Sequence, residues 1–178
     1  MHFVETVYGA WLYGDARGFR TRHHREHVNG DYKNPPPAGK YESKLRRSSE
    51  SLKQPAVMVS AAWRPIIGSA IQQRLDDLGA FVLCLAMAGQ HLHLLAKLPA
   101  DTSPRHWMGL AKKHSYFEVK SRGWRGKLWA KRGKEICVRD RQHQLNLYRY
   151  ILEHANEGAW VWDWRHAQAH GPRSVGLD

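Results

Sequence analysis

Residues 81–99 read FVLCLAMAGQHLHLLAKLP, and this stretch decides the fold. Two apolar runs flank a short turn at residues 88–90, a pattern that predicts a β-hairpin. His91 and His93 begin its second strand, where residues two apart point to the same face, so both imidazoles can reach one cation. The alternative is two surface or hydrogen-bonded histidines on an ordinary strand, because a His-x-His triplet alone is a weak motif in a chain with 12 histidines.

Residues 147–157 read LYRYILEHANE and predict a helix that can face the same cation. Tyr150 and His154 are four residues apart, so they are neighbours on one helical surface. They bring the set to three candidate metal ligands and one candidate nucleophile. Tyr148 lies about 200° round the helix from Tyr150, and we interpret it as a half-buried ring that packs on the sheet.

The rest of the chain supplies further strands and helices around these two segments. Apolar periodicity and turn residues predict a strand at 2–13, a long polar loop at about 14–56, helices at 60–78 and about 103–120, one or two short strands at 127–139, and a last helix at about 141–156. Gly79 should end the first helix, Ser103 and Pro104 should start the second, and Asp140 should cap the last. This order predicts an α+β fold whose sheet is covered by helices on one face.

Positive charge is the main compositional signal. The chain has 28 Lys and Arg residues against 16 Asp and Glu, which gives a net charge of +12. Such an excess is typical of proteins that bind a phosphate backbone. The residues that we predict to contact DNA are Arg17, Arg20, Arg22, Arg25, Lys112, Lys113, Lys131 and Arg132.

Several classes of protein are disfavoured by composition. Cys84 and Cys137 are too few for a disulfide framework and lack the Cys-x-x-Cys spacing of a zinc finger. No stretch reaches the roughly 18 apolar residues of a membrane-spanning helix, and the N-terminus has no secretory pattern. We therefore expect a soluble, cytoplasmic protein with one domain at residues 1–165, a flexible tail at 166–178 and no membrane partner.

Two further motifs have competing interpretations. The run RTRHHREH at residues 20–27 contains three closely spaced histidines, but its charged surroundings favour a solvated loop that touches phosphate over a second metal site. Trp160, Trp162 and Trp164 alternate as strand residues do. Their rings could stack on unpaired bases, although covering the sheet edge or the core is the simpler role.

The combination of QHLHLL at 90–95, LWAKRGKEICVRD at 128–140 and YILEH at 150–154 resembles the single-tyrosine HUH endonucleases. Within them it is most similar to the REP-associated tyrosine transposases and the IS200-like insertion-sequence transposases. The opening YGAWLYGDARGFR at 8–20 also resembles a subgroup of these proteins, so the resemblance covers residues from about 3 to 162.

The resemblance implies a ferredoxin-like (RRM-like) antiparallel sheet, a divalent metal such as Mg or Mn, and nicking of single-stranded DNA through a covalent 5′-phosphotyrosine. It assigns Tyr150 as the nucleophile, His91 and His93 as the histidine pair, and His154 as the third ligand where some relatives have Gln or Asn. Three imidazoles are softer ligands than Mg prefers, so Mn or adventitious Zn becomes more plausible. A DNA hairpin or repeat as substrate and a homodimer are also compatible with the resemblance.

Two other functional classes remain open from the sequence. The chain could be a catalytically silent, domesticated DNA- or RNA-binding protein, for which basic charge and an RRM-like sheet would suffice. It could also be a metal-dependent nuclease that activates water. A water-activating enzyme would form no protein-DNA adduct and would tolerate loss of the Tyr150 hydroxyl.

Overall fold

The predicted hairpin lies at the centre of the sheet. In the computed structural model, which describes residues 1–20, 27–28 and 35–165, its strands are β4 (Phe81–Met87) and β5 (His91–Lys97). They pair antiparallel with Met87 opposite Leu92. The Ala88 N–H donates to the His91 carbonyl at 2.9 Å and closes the turn. The hairpin is thus confirmed with its turn where the sequence indicates it.

Three more strands extend the hairpin on both sides. β1 (His2–Thr6) pairs with β5, β6 (Lys134–Ile136) pairs with β1, and β7 (Trp160–Asp163) pairs with β4, each antiparallel. Among the described residues the order across this sheet is β6-β1-β5-β4-β7. Its first four strands have the order of a ferredoxin-like fold, and β7 is added at the β4 edge. The predicted α+β class with an antiparallel sheet is confirmed.

Helices α2 (Arg64–Asp77) and α3 (Pro104–Ser121) pack together on one face of this sheet, as expected. Their buried residues join the strand residues that point to this side in the main core. Fully buried members are Phe3, Ile67, Ile71, Leu75, Leu85, Met87, Leu92, Leu94 and Met108. Because side chains alternate along β5, Leu92 and Leu94 face this core, while His93 between them faces the other way.

Helix α4 (Arg141–Glu153) packs against the opposite face of the hairpin strands. Its Ile151 joins Cys84, Ala86 and Leu95 in a second, smaller buried cluster. At the register shift between Val82 and Cys84 in β4, Val82 belongs to the main core, whereas the adjacent Leu83 and Cys84 both belong to the smaller cluster. The sheet face that bears His91 and His93 is therefore the face that α4 crosses.

The predicted helix ends are confirmed. Gly79, which follows the C-cap residue Leu78 of α2, adopts a φ of +86°, a conformation that favours glycine. The Ser103 hydroxyl accepts from the His106 N–H at 3.4 Å at the start of α3. The Asp140 carboxylate accepts from the His143 N–H at 2.7 Å at the start of α4, so each cap pairs one otherwise unpaired N–H.

The segment predicted as an irregular loop at 14–56 has more structure than expected. It contains helix α1 (Glu42–Glu50) and the two-residue strands β2 (Phe19–Arg20) and β3 (His27–Val28). No residue of α1 is buried, so the helix has no apolar stripe that a periodicity search can find. The predicted strand at 2–13 ends already at Thr6. Val7 makes only an isolated bridge to Trp129, and Gly9 then adopts a φ of +76°, which interrupts the extended backbone.

No helix in the described part of the chain is long and apolar enough to cross a membrane. The predicted flexible tail at 166–178 lies outside the described residues.

Candidate metal centre

Two of the three predicted ligands are fixed by the sheet. β1 pairs with β5 so that Val4 is opposite His93 and Thr6 is opposite His91. His93 is only 7% exposed, whereas His91 at the strand end is half-buried. Their ring centroids are 5.0 Å apart. The central strand β5 thus presents two neighbouring imidazoles on the sheet face that α4 crosses.

The third predicted ligand comes from the end of α4. His154 follows the last helical residue and begins a 3-10 turn (His154–Glu157). It is 6% exposed, and its ring centroid is 4.7 Å from that of His93 and 5.6 Å from that of His91. Packing of Ile151 in the smaller cluster holds this end of the helix against the sheet.

The three imidazoles form a group that could hold a metal ion, since their ligand nitrogens all lie within 4.8 Å of one another. Nitrogens that bind one ion at about 2.1 Å in tetrahedral geometry are about 3.4 Å apart. Ligand nitrogens at the 4.8 Å limit would therefore need to approach by about 1.4 Å to bind one ion. The sequence prediction that His91, His93 and His154 come together is confirmed.

The proton position on His154 follows from its hydrogen bond. Its Nδ1 lies 2.8 Å from the backbone carbonyl oxygen of Tyr150. A carbonyl only accepts, so Nδ1 carries the hydrogen and donates it. In the neutral imidazole with this tautomer, Nε2 carries the lone pair that can bind a metal.

His2, which the sequence analysis did not identify, is hydrogen-bonded to the candidate ligand His93. Its Nε2 lies 3.0 Å from the Nδ1 of His93, and both rings are buried. The two rings are stacked, with centroids 5.3 Å apart and planes at 21°. The only sequence signal is a histidine within the strand-like run HFVETV, and its meaning depends on the register of β1 against β5.

Burial favours the neutral form of His2, His91 and His93. Desolvation by burial lowers the pKa of His93 to about 3, with smaller electrostatic contributions from His91, His154 and His2. Loss of solvent likewise lowers the pKa of His2 to about 4, assisted by His143, the N-terminal amine and His154. The pKa of His91 is lowered for the same main reason. Neutral imidazole is the state that metal ligation requires.

Tyr150 lies beside this group and is open to solvent. Its ring centroid is 4.7 Å from that of His154 and 5.3 Å from that of His93, yet the residue is 46% exposed. Partial burial, and then the charge of Glu157, raise the pKa of its phenol. The hydroxyl is therefore protonated at neutral pH and would need nearby positive charge to become a nucleophile.

Tyr148 has the opposite surroundings. Its hydroxyl donates to the Asp163 carboxylate at 2.5 Å, and its ring packs on the smaller cluster. Burial and this hydrogen bond raise the pKa of its phenol. The half-buried position predicted for Tyr148 agrees with the structure.

Arg17 is the predicted DNA contact whose side chain borders the metal group. Its guanidinium donates to Asp15 at 2.6 Å and to the side-chain oxygen of Gln90 at 2.9 Å, and it stacks on Trp11 at 4.7 Å. Gln90 directly precedes His91, and the charge of Arg17 contributes to the lowered pKa of His91, after burial and His154. About half of the Arg17 side chain remains exposed.

The four predicted lysine and arginine contacts at 112–132, whose side chains the structure describes, lie away from this group. Lys112 is largely buried on the α2–α3 side, where its ammonium donates to Glu5 at 2.6 Å and to the Ala130 carbonyl at 2.9 Å. Lys113, Lys131 and Arg132 are exposed. Arg20 lies in β2, and Arg22 and Arg25 lie outside the described residues.

The remaining motifs have plainer surroundings. Trp160 and Trp162 pack against the main core, which agrees with the simpler of their two interpretations. Trp164 contacts Phe81, with ring centroids 5.6 Å apart. In the histidine-rich run, His27 is exposed in β3, while His23 and His24 lie outside the described residues.

Comparison with known proteins adds no assignment: no protein-family model matches the chain, and no curated protein or solved structure matches it.

Proposed function

We propose that this chain is a metal-dependent, transposase-like endonuclease and strand transferase of the single-tyrosine HUH type that nicks single-stranded DNA through a covalent 5′-phosphotyrosine. The observation that carries the proposal is the exposed phenol of Tyr150 beside three imidazoles whose ligand nitrogens converge within 4.8 Å. A structural tyrosine would not require three buried or half-buried histidines beside it. A metal site without a nucleophile would not require an exposed tyrosine one helical turn from a ligand.

The proposed reaction uses the chain's own residues as follows. The Tyr150 oxygen attacks the phosphorus of a DNA phosphodiester, a Tyr–O–P bond forms, and the bond from phosphorus to the 3′ oxygen breaks. The phenol proton leaves, and the departing 3′ oxygen gains a proton. A divalent metal held by His91, His93 and His154 would supply positive charge to the non-bridging phosphate oxygens. Because the new bond is again a phosphodiester, a later 3′ hydroxyl can attack it and rejoin the strands.

Local geometry supports these roles. The His154 Nδ1–H bond to the Tyr150 carbonyl links the ligand and the nucleophile within one turn. Helix α4 is held to the sheet by buried Ile151, so the phenol is presented by a rigid element. Such positioning is a large part of what an enzyme can contribute to phosphoryl transfer.

For the metal we propose Mn or Mg, with Mn favoured because all three protein ligands are imidazoles. For the substrate we propose single-stranded DNA with a hairpin or repeat. The net charge of +12 and the position of Arg17 next to His91 support an anionic strand that passes over this rim of the sheet. A cytoplasmic location and a homodimer are further parts of the proposal.

Adduct formation tests the proposal directly. Single-stranded oligonucleotides from the repeats that flank the gene are mixed with the protein and Mn or Mg, and the products are separated on a denaturing gel. We expect a protein band shifted by covalent DNA that is lost with EDTA and in Tyr150→Phe. Tyr148→Phe is the matched control, because it removes a phenol hydroxyl two residues away on the same helix, and it should keep the adduct.

The other outcomes identify the competing functions. Cleavage without an adduct, retained in Tyr150→Phe, would indicate a nuclease that activates water. Binding without cleavage or adduct on oligonucleotides covering both flanking repeats would indicate a silent binding protein. A fully active Tyr150→Phe variant would overturn the role of Tyr150 in either case.

A further inference from the structure

His2 is an unusual residue for its position. It lies on β1, paired with Leu95 and Ile136 on the neighbouring strands, and is only 4% exposed. Its Nδ1 is buried and has no hydrogen-bond partner among the described residues. Buried polar atoms of this kind are rare and need an explanation. An apolar side chain would fill the same strand position without an unpaired nitrogen.

The one hydrogen bond of His2 is to a candidate metal ligand. Its Nε2 lies 3.0 Å from the Nδ1 of His93. With both imidazoles neutral, only one of the two facing nitrogens carries the shared hydrogen. If His2 donates, the proton of His93 is on Nε2, and His93 cannot bind a metal through that atom. If His93 donates from Nδ1, its Nε2 lone pair is free.

We infer that His2 is a positioning residue that accepts the Nδ1–H of His93 and thereby holds His93 as a metal ligand through Nε2. This inference rests on the metal group of the proposed function. Both tautomeric arrangements contain the same number of protons, so the choice between them needs no proton from solvent. In the ligand-competent arrangement the hydrogen of His2 is on Nδ1, the buried nitrogen that has no hydrogen-bond partner among the described residues.

The arrangement parallels that of His154. There the Tyr150 carbonyl accepts the Nδ1–H at 2.8 Å and leaves Nε2 free. Hydrogen bonds of this kind to the outer nitrogen orient a ligand histidine, and their loss typically weakens metal binding 10- to 100-fold. His2 would accept the Nδ1–H of His93 in the same way that the Tyr150 carbonyl accepts the Nδ1–H of His154.

The test compares two variants of the full chain by metal affinity. His2→Leu removes the acceptor, and we expect the Kd for Mn²⁺ to rise about 10- to 100-fold. His2→Gln can place its side-chain oxygen near the former Nε2, and we expect most of the affinity to return. His143→Leu is the control. His143 contributes to the lowered pKa of His2, but its ring accepts its hydrogen bond from the Arg139 N–H and not from His2.

Free energies of unfolding without metal, measured for every variant, separate a folding defect from a positioning defect. An affinity loss in His2→Leu that His2→Gln restores at similar stability supports the inference. Equal Mn²⁺ affinity in wild type and a folded His2→Leu overturns the inference but leaves the proposed function standing. A wild-type chain that binds no divalent metal overturns the metal group itself and this inference with it.

A spectroscopic measurement needs no variant. In the wild-type chain loaded with diamagnetic Zn²⁺, nitrogen-15 NMR of the imidazoles should place the hydrogen of His93 on Nδ1 and that of His2 on Nδ1. A hydrogen on the Nε2 of His2 would overturn the inference even if His2→Leu failed to fold.

Discussion

At the scale of single residues, Tyr148 and Tyr150 differ in what surrounds their hydroxyls. Tyr148 donates to a carboxylate and packs on the smaller cluster, whereas Tyr150 is 46% exposed next to His93 and His154. One hydroxyl is therefore committed to the fold, and the other is free to react. The pair allows stability and chemistry to be separated by removing one oxygen atom at a time.

We predict that Tyr148→Phe lowers the free energy of unfolding by about 1.5–3 kcal/mol, the range for a hydrogen bond to a charged group. Asp163 would keep its bond from the Arg165 N–H but lose the phenol donor. Tyr150→Phe should change stability by less than about 0.5 kcal/mol, because its hydroxyl has no such partner among the described residues. Urea denaturation of both variants measures the difference. Equal losses would contradict the separation of roles.

Residue spacing was sufficient to predict the three histidines of the metal group, but not the contact between His2 and His93. His91, His93, Tyr150 and His154 follow from the two-residue period of a strand and the four-residue neighbours of a helix. His2 could not be found in this way, because its contact with His93 depends on the register of two strands about ninety residues apart in the chain. The Glu5–Lys112 pair depends in the same way on strand and helix meeting in space.

At the scale of elements, α2 approaches β7 closely at one glycine. A methyl group on Gly68 would overlap the indole of Trp160 and touch Leu85. By contrast, a methyl group on Gly109 in α3 would meet nothing within 4 Å. The two positions share helical backbone and differ in what lies opposite, so together they isolate the packing of the helix layer on the sheet.

We predict that Gly68→Ala destabilises the fold by about 1–3 kcal/mol, since overpacking outweighs the gain of up to about 1 kcal/mol in helix propensity. Gly109→Ala should stabilise it by up to about 1 kcal/mol through propensity alone. Thermal or urea unfolding of both variants measures the two effects. A stabilising Gly68→Ala would show that Trp160 does not pack against α2 as described.

Most elements were predictable because their sequences carry a periodic signal with recognisable ends. The β4–β5 hairpin, α2, α3 and α4 are confirmed, and their caps at Ser103 and Asp140 are formed by the expected side chains. Helix α1 was missed because none of its residues is fully buried, so its sequence carries no apolar stripe. Local pattern also could not indicate that α4 crosses the sheet face opposite α2 and α3, since that depends on which strand residues point to each side.

At the scale of the whole molecule, the sheet separates two environments. One face carries the main core, and the other carries the smaller cluster and the candidate metal group. Overall charge could predict an anionic partner but not where it binds, because charged residues are also used within the fold. Lys112 shows this, since its ammonium is neutralised by buried Glu5 rather than offered to a ligand.

Stability of the metal-free chain should fall on mild acidification. His2 and His93 have folded-state pKa values lowered to about 4 and about 3 by burial, against about 6.5 when unfolded. Between about pH 6.5 and 4 the unfolded chain therefore binds more protons than the folded chain, and the free energy of unfolding decreases as pH falls. The contribution of these two residues is complete above about pH 6.5 and lost progressively below it.

Urea midpoints measured across this window with EDTA present check the prediction. The double variant His2→Gln, His93→Gln removes both titrating rings, and its midpoint should depend less on pH than that of the wild type. A bound divalent metal should raise the wild-type midpoint near neutral pH and steepen its fall on acidification, because the metal competes with protons for the imidazoles. A wild-type midpoint that stays constant or rises from pH 6.5 to 4 would mean that His2 and His93 are solvated or already protonated, and His93 would then not be preformed as a neutral ligand.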